Sequence, residues 1–198
     1  HQYEQPPPRV PFSALLAPAF ADTSGITLIA ALDEHGDVLE AMTPGPALNA
    51  ADRPMFRFHQ QDPSRDLAIG APILGRGSGK WVITLTRRVN RPDGSFGGIV
   101  DISVEPSLLT ALYEKTALGP DDIMSQVLEN GLTLSRRHGG TASFGEDVSN
   151  SALMREFGRQ PVGAYIGRGA LDGHLRLFSY RRLTDYPVIA VVGTSHAA

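Results

Sequence analysis

The chain has 198 residues, of which 41% are hydrophobic and 20% charged, with no cysteine and a formal net charge of −3. This charge argues against nucleic acid as the main partner, because neutralising phosphates requires a clustered basic excess. The absence of cysteine excludes a disulfide-stapled scaffold, and no apolar run approaches the ~20 residues that span a bilayer. Because the chain begins with His1 rather than Met, we expect a fragment of a longer protein, with any membrane helix or output domain outside it.

The first half of the chain predicts two β-hairpins with a helix between them. Ile26–Leu32 and Val38–Met42 are β-rich runs joined by turn residues, which is typical of a hairpin. Lys80–Thr86 and Phe96–Val104 form a second pair of such runs. Between the hairpins we predict a helix from Asp52 to Gln60, with the Asp52 carboxylate as its N-cap.

The second half repeats this order after a predicted helix from Pro106 to Ala117. The repeated segments are a hairpin of Ile123–Glu129 and Leu132–Arg136, a helix of Ser149–Phe157, and strands Leu175–Arg181 and Val188–Val192. Each closing hairpin also has a first strand that ends in paired arginines. The repetition indicates an internal duplication. We therefore predict an α+β fold of two tandem units, residues 1–115 and 116–198, each an antiparallel sheet flanked by helices.

The signatures of common enzymes are missing. Gly75–Lys80 is glycine-rich, but Trp81 stands where a phosphate-binding loop has Ser or Thr, and the segment leads into a strand. No serine lies in a G-x-S-x-G motif. The histidines lack metal-ligand spacing; those considered are His35, His59, His138 and His174. We expect no catalysis by this fragment, no metal and no cofactor.

Four segments carry a resemblance to a known family. Phe96–Val104 resembles the G-x-x-G-x-D-I-S-L closing strand of Cache domains, which are PAS-like extracytoplasmic sensors of bacterial receptors. Ala51–His59 is similar to the family's helix start, and Ile69–Pro72 and Ser78–Leu85 resemble its I-S-x-P loop and G-K-x-V-I-T-L strand. The detailed resemblance spans roughly residues 33–115. It implies a double Cache domain, with a membrane-distal and a membrane-proximal PAS-like unit.

The resemblance also implies a ligand site in the distal unit. In members of the family that bind amino acids, the helix-start arginine and its aromatic neighbours hold the carboxylate, and the aspartate of the closing strand holds the ammonium. By position these residues are Arg53, Met55, Phe56 and Asp101. An arginine offers a planar fork that matches a carboxylate, and a carboxylate within an apolar strand must be paired or face a polar cavity.

The sequence departs from the amino-acid pattern at three places. Met55 replaces an aromatic residue, and Ile73 and Gly75 stand where the family pattern has Tyr and Asp. Ile73 is expected to line the same pocket, and Trp81 is a candidate for its apolar wall. The predicted ligand is therefore a small polar molecule bearing a carboxylate or an amine, rather than an ordinary amino acid.

Three functions compete at this point. The leading hypothesis is the periplasmic sensor part of an inner-membrane histidine kinase or diguanylate cyclase, dimeric in the full receptor and in contact with the membrane only through flanking helices. One alternative is a ligand-free protein-interaction module, in which Arg53 and Asp101 form an internal ion pair. The other is a hydrolase or lyase without a familiar signature.

Overall fold

The computed structural model describes residues 24–42, 49–64, 66–111, 113, 116 and 118–195. These residues form the following strands and helices, named in chain order: β1 (Ile26–Leu32), β2 (Val38–Ala41), α1 (Pro54–Gln61), β3 (Ala68–Ile69), β4 (Ile73–Leu74), β5 (Trp81–Asn90), β6 (Phe96–Val104), α2 (Pro106–Ala111), β7 (Ile123–Leu128), β8 (Thr133–His138), β9 (Thr141–Ser143), α3 (Ala152–Phe157), β10 (Val162–Arg168), β11 (Leu175–Arg182) and β12 (Val188–Ser195).

The strands form two antiparallel sheets with matching strand order. The first sheet has the order β2-β1-β6-β5-β3, with β4 also paired to β5, and the second has the order β10-β11-β12-β7-β8-β9. In both sheets the first strand of the opening hairpin lies beside the last strand of the unit, β1 beside β6 and β7 beside β12. This shared topology confirms the predicted α+β architecture of two antiparallel sheets with helices, and it supports the inferred duplication.

The predicted hairpins are present, and several strands were not predicted. β5 runs on to Asn90, and β10 is a full edge strand of the second sheet. The short strands β3, β4 and β9 were also missed. Of the helix predicted to run to Ala117, the structure gives α2 over Pro106–Ala111, and most of the remainder lies outside the described residues.

The predicted cap of α1 is wrong. Arg53, not Asp52, occupies the N-cap position, and no side chain of the described residues makes a capping hydrogen bond there. The Asp52 carboxylate instead accepts hydrogen bonds from both terminal nitrogens of Arg76, which lies on the loop between β4 and β5. That hydrogen bonding lowers the pKa of Asp52 to about 2. A guanidinium offers two charged donors, so it outcompetes the single backbone N–H of a cap.

Each sheet has one face covered by a helix and one face turned toward the other unit. α1 covers a core of Ala30, Leu32, Phe56 and Ile99 in the first unit, and α3 covers a core that includes Val127, Leu153, Phe178 and Ile189 in the second. A third buried cluster joins the two units: Ile83 and Val104 from the first sheet pack with Leu128, Leu134 and Val188 from the second. The two units are therefore connected by apolar contact as well as by the chain.

Gly98 allows the closing strand β6 to approach β1. Its φ is +118°, a backbone conformation that residues with a side chain rarely adopt, and an added Cβ would lie 1.9 Å from the Leu32 carbonyl oxygen. A glycine is thus required at position 98 because the two backbones lie in close contact. This contact sets the position of the strand that carries Asp101 three residues later.

Candidate functional site

Strand register places Asp101 on the face of the first sheet that α1 covers. In the register of β6, Asp101 lies opposite Thr86 of β5 and Ala30 of β1, and Ser103 lies opposite Thr84. Residues directly opposite one another in an antiparallel sheet share a face. The hydroxyl groups of β5 and β6 and the Asp101 carboxylate therefore all project toward α1.

The Asp101 carboxylate is desolvated and weakly bonded. Burial raises its pKa to about 7, and the Ser103 hydroxyl and the positive charge of Arg53 only partly oppose this effect. Ser103 Oγ lies 3.3 Å and 3.4 Å from the two carboxylate oxygens, so it has a single proton to share between them. A cation beside Asp101 would restore the interactions that the ionised carboxylate lacks.

Arg53 lies near Asp101 without forming an ion pair to it. Its Nη2 donates to the Leu74 carbonyl oxygen at 3.2 Å, and among the described residues no ion pair within 4.0 Å joins Arg53 to Asp101. The arginine is close enough for its charge to lower the pKa of Asp101. The internal ion pair considered from the sequence is therefore not formed, and the two opposite charges remain separated.

Met55 and Ile73 complete the surroundings of the carboxylate. A Cβ added at Gly70 would lie 2.3 Å from Thr84 Oγ1 and 3.1 Å from Met55 Cγ, which shows that all three residues meet. Ile73 pairs with Val82, two residues from Thr84 along β5, so it shares their face. We call this group the Asp101 site: it comprises Arg53, Met55, Ile73, Thr84, Asp101 and Ser103.

Two residues considered from the sequence lie elsewhere. Trp81 lies three positions before Thr84 on β5, and since side chains alternate along a strand, it is on the other face of the sheet. There its ring centroid is 5.9 Å from that of Phe144 in the second unit. Phe56 has no exposed surface and packs edge-on against Phe96, at 5.3 Å between centroids. The position of Trp81 therefore corrects its assignment to the pocket wall, and Phe56 contributes to the core on which α1 rests.

Buried polar residues that were not predicted to belong to a site lie beside the Asp101 site. His59 Nε2 lies 3.0 Å from Thr86 Oγ1, while His59 Nδ1 and Thr84 Oγ1 are buried without a partner among the described residues. Burial lowers the pKa of His59. The available signal was the alternation of Thr84, Thr86 and Arg88, because polar residues at every second position of an apolar strand indicate a polar face.

The second unit brings together two histidines that lie far apart in sequence. Asp121, His138 and His174 have potential ligand atoms within 4.8 Å of one another, a convergence that sequence spacing did not indicate. Arg176 Nη2 lies 3.2 Å from His138 Nε2. A guanidinium can only donate, so this histidine nitrogen uses its lone pair toward Arg176 rather than toward a metal.

Comparison with known proteins supplies a family and a fold. Residues 107–193 match the dCache_1-like family, described as a histidine kinase sensor domain. The extracellular domain of rpHK1S-Z16, which is assigned as a histidine kinase, is 30% identical and superposes with a TM-score of 0.81. That alignment covers 93% of this chain and 75% of the other.

More distant structures share the fold. An extracellular ligand-binding receptor from Desulfohalobium retbaense has a TM-score of 0.63 at 15% identity, with 92% of this chain and 33% of that chain covered. The amino-acid chemoreceptor PctB of Pseudomonas aeruginosa PAO1, in complex with L-Gln, has a TM-score of 0.60 at 14% identity, with coverages of 87% and 69%. A search of curated proteins found no match. Among the described residues, no helix is long and apolar enough to cross a membrane.

Proposed function

Because the chain belongs to the dCache_1-like family of histidine kinase sensor domains, we propose that its first unit senses a small molecule that places a protonated amine on Asp101. Members of this family are extracellular domains that bind ligands rather than catalyse reactions. The observation that carries the proposal is the Asp101 carboxylate itself, which is desolvated, held by one shared hydroxyl proton and separated from its nearest cation.

An ammonium group matches this carboxylate in charge and in hydrogen bonding. It supplies up to three donors, whereas Ser103 supplies one. Ionisation of Asp101 is unfavourable without a counter-ion, so an amine ligand and the ionised carboxylate stabilise each other. Binding should therefore strengthen as the pH rises toward the pKa of about 7.

Arg53 supports a second, anionic group on the ligand. Its guanidinium is fixed by the Leu74 carbonyl oxygen through Nη2, which leaves other N–H groups for a carboxylate or a polar oxygen. The chemoreceptor PctB was solved with L-Gln, a ligand that carries both charges. Ile73 makes the wall apolar where the amino-acid pattern of the family has a polar aromatic residue. We therefore favour an amine with a compact or apolar body.

The strands that carry the site also contact the second unit. On β5, Thr84 faces α1 while the adjacent Ile83 belongs to the buried cluster between the sheets, and on β6 Ser103 and Val104 alternate in the same way. Any displacement of these strands by ligand therefore moves the contact with the second unit. We propose that this contact relays binding toward a membrane-bound output module, a kinase or a cyclase, from a periplasmic sensor that is dimeric in the full receptor.

The test is a thermal-shift screen followed by calorimetric titration. The probes are the common amino acids, ethanolamine and putrescine, and each hit is repeated as its N-acetyl derivative. Asp101→Asn keeps the shape of the side chain and removes its charge, and Asp185→Asn, an exposed carboxylate in the loop before β12, is the matched control.

A ligand held by Asp101 should lose about a hundredfold in affinity on N-acetylation or in Asp101→Asn, because a charge-assisted hydrogen bond is removed. The Asp185→Asn variant should bind as the native protein does. The proposal is wrong if acetylated and free amines bind equally, or if Asp101→Asn leaves affinity unchanged. Failure of every amine with the protein folded would instead favour the ligand-free interaction module.

A further inference from the structure

The second unit contains a partly open cavity that is separate from the Asp101 site. It has a volume of about 50 Å³ and lies between α3, β10 and the segment 168–173, on the helix-covered face of the second sheet. A single water needs roughly 10–15 Å³ by this measure, so the space admits a molecule of a few heavy atoms. The Asp101 site likewise lies on the helix-covered face of its own sheet.

The lining of this cavity has an excess of positive charge. Its charged groups are the guanidinium groups of Arg136, Arg176 and the exposed Arg168, and one carboxylate, that of Asp172. Arg176 has no exposed surface and holds both oxygens of Asp172, at 2.7 Å and 2.9 Å. Arg136 Nη2 donates to the same carboxylate at 2.8 Å. One carboxylate is therefore shared by two arginines whose side chains are at most 13% exposed.

Other carboxylates close to the cavity do not line it, among them Glu146, which accepts the hydroxyl hydrogen of the lining residue Thr133. Asp121 pairs with His174 at 3.2 Å, and Asp122 accepts the backbone N–H groups of Gly119 and Ser195. Burial raises the pKa of Asp172, but its hydrogen bond from Arg176 and the charge of both arginines lower that pKa further, to about 2. The buried charge is therefore unbalanced at neutral pH, which is unfavourable unless an anion joins the cluster.

The uncharged lining adds a hydroxyl donor and an apolar wall. Tyr165 stacks on Phe178, at 5.0 Å between ring centroids, and its hydroxyl makes no hydrogen bond within the part of the chain that the structure describes. Burial, together with the charge of Glu156, raises the pKa of Tyr165 to about 12, so the phenol keeps its proton and can donate to an anion. Leu153 and Val191 also line the cavity. A strongly hydrated ion such as phosphate fits these walls poorly, whereas a short alkyl group fits them.

From these features we infer that the second unit binds a small monocarboxylate, of the size of acetate or propionate, with its carboxylate on Arg136 and the Tyr165 hydroxyl and its alkyl group against Leu153 and Val191. This site is separate from the amine site of the first unit. The protein thus has a ligand site on the helix-covered face of each sheet, and each site recognises a different charge.

The experiment titrates acetate and propionate against the whole domain at constant ionic strength and measures melting temperature and binding heat, with chloride and methylammonium as reference ions. Arg136→Gln removes a charge from the cavity, and Ala152→Leu fills it without changing charge. Arg181→Gln is the matched control, since this exposed arginine lies on the outer face of β11. Tyr165→Phe removes only the hydroxyl.

The expected result is saturable stabilisation by acetate or propionate that chloride does not reproduce. Arg136→Gln should weaken binding about ten- to a hundredfold and Tyr165→Phe about two- to tenfold, while Ala152→Leu abolishes it. Arg181→Gln and Asp101→Asn should bind as the native protein does, which separates this site from the amine site. Equal effects of chloride and acetate, or native affinity in a folded Ala152→Leu variant, would overturn the inference. If Arg136→Gln does not fold, the affinities of Ala152→Leu and Tyr165→Phe for acetate and propionate test the inference.

Discussion

Replacing Asp101 by asparagine should change how the stability of the domain depends on pH. The pKa of Asp101 is 3.8 in its reference state and about 7 in the folded protein, because burial disfavours the charged form. Between these two values the folded state holds a proton that the unfolded state has released. Stability is therefore greatest below pH 3.8 and decreases as the pH rises through 7.

The size of the effect follows from linkage. One pH unit of differential protonation corresponds to about 1.4 kcal/mol, so the interval from pH 5 to pH 7 contributes about 2–3 kcal/mol. This free energy is the cost of ionising Asp101 in the folded protein, and a bound ammonium group would offset it. Asparagine does not ionise, so the variant should lack this part of the pH dependence.

The assay is urea denaturation of both proteins at pH 5 and pH 8 without ligand. The free energy of unfolding should fall by about 2–3 kcal/mol more in the native protein than in Asp101→Asn. Comparing the two proteins cancels the contribution of His59, whose lowered pKa makes stability rise with pH over part of the same range. Parallel pH dependence in the two proteins would show that the carboxylate is solvated and that its proposed role is wrong.

Three further substitutions test the packing and backbone arguments. Phe56→Ala should reduce the free energy of unfolding in urea by about 3–5 kcal/mol, because a fully buried ring leaves a cavity under α1. Gly98→Ala should abolish the cooperative thermal transition through its clash with β1, whereas Gly94→Ala, also at positive φ but in open space, should cost about 1–2 kcal/mol. Ser151→Ala should cost about 1 kcal/mol, since Ser151 Oγ accepts the Met154 N–H at the start of α3; an unchanged urea midpoint would contradict the cap.

The fold could be predicted further than the site. Hairpins follow from local patterns, and β1 and β6 were predicted at their observed bounds because β-branched runs end at turn residues. The strand β10 was missed because its glycines and exposed apolar residues do not alternate in polarity as a half-buried strand does. The cap of α1 was mispredicted because the competing guanidinium of Arg76 lies 24 residues away.

Of the candidate site residues too, some follow from local sequence patterns and others depend on contacts between distant parts of the chain. The resemblance of the closing strand singled out Asp101, and strand alternation then determines which neighbours can share its face. The sequence could not reveal that Arg53 and Asp101 do not form an ion pair, because their separation depends on how α1 packs against the sheet. Trp81 was assigned to the pocket wall by its chemistry, while its parity on β5 places it toward Phe144.

The sequence by itself determined the α+β class, the repeated order of elements and the closing strand with its aspartate, because these depend on local patterns of turns, hydrophobicity and motif. Only the tertiary structure decided the raised pKa of Asp101, the pairing of Arg136 and Arg176 with one carboxylate, and the cavity beside them. Desolvation and charge balance are properties of groups brought together from distant parts of the chain, so they arise only when the sheets and helices have packed.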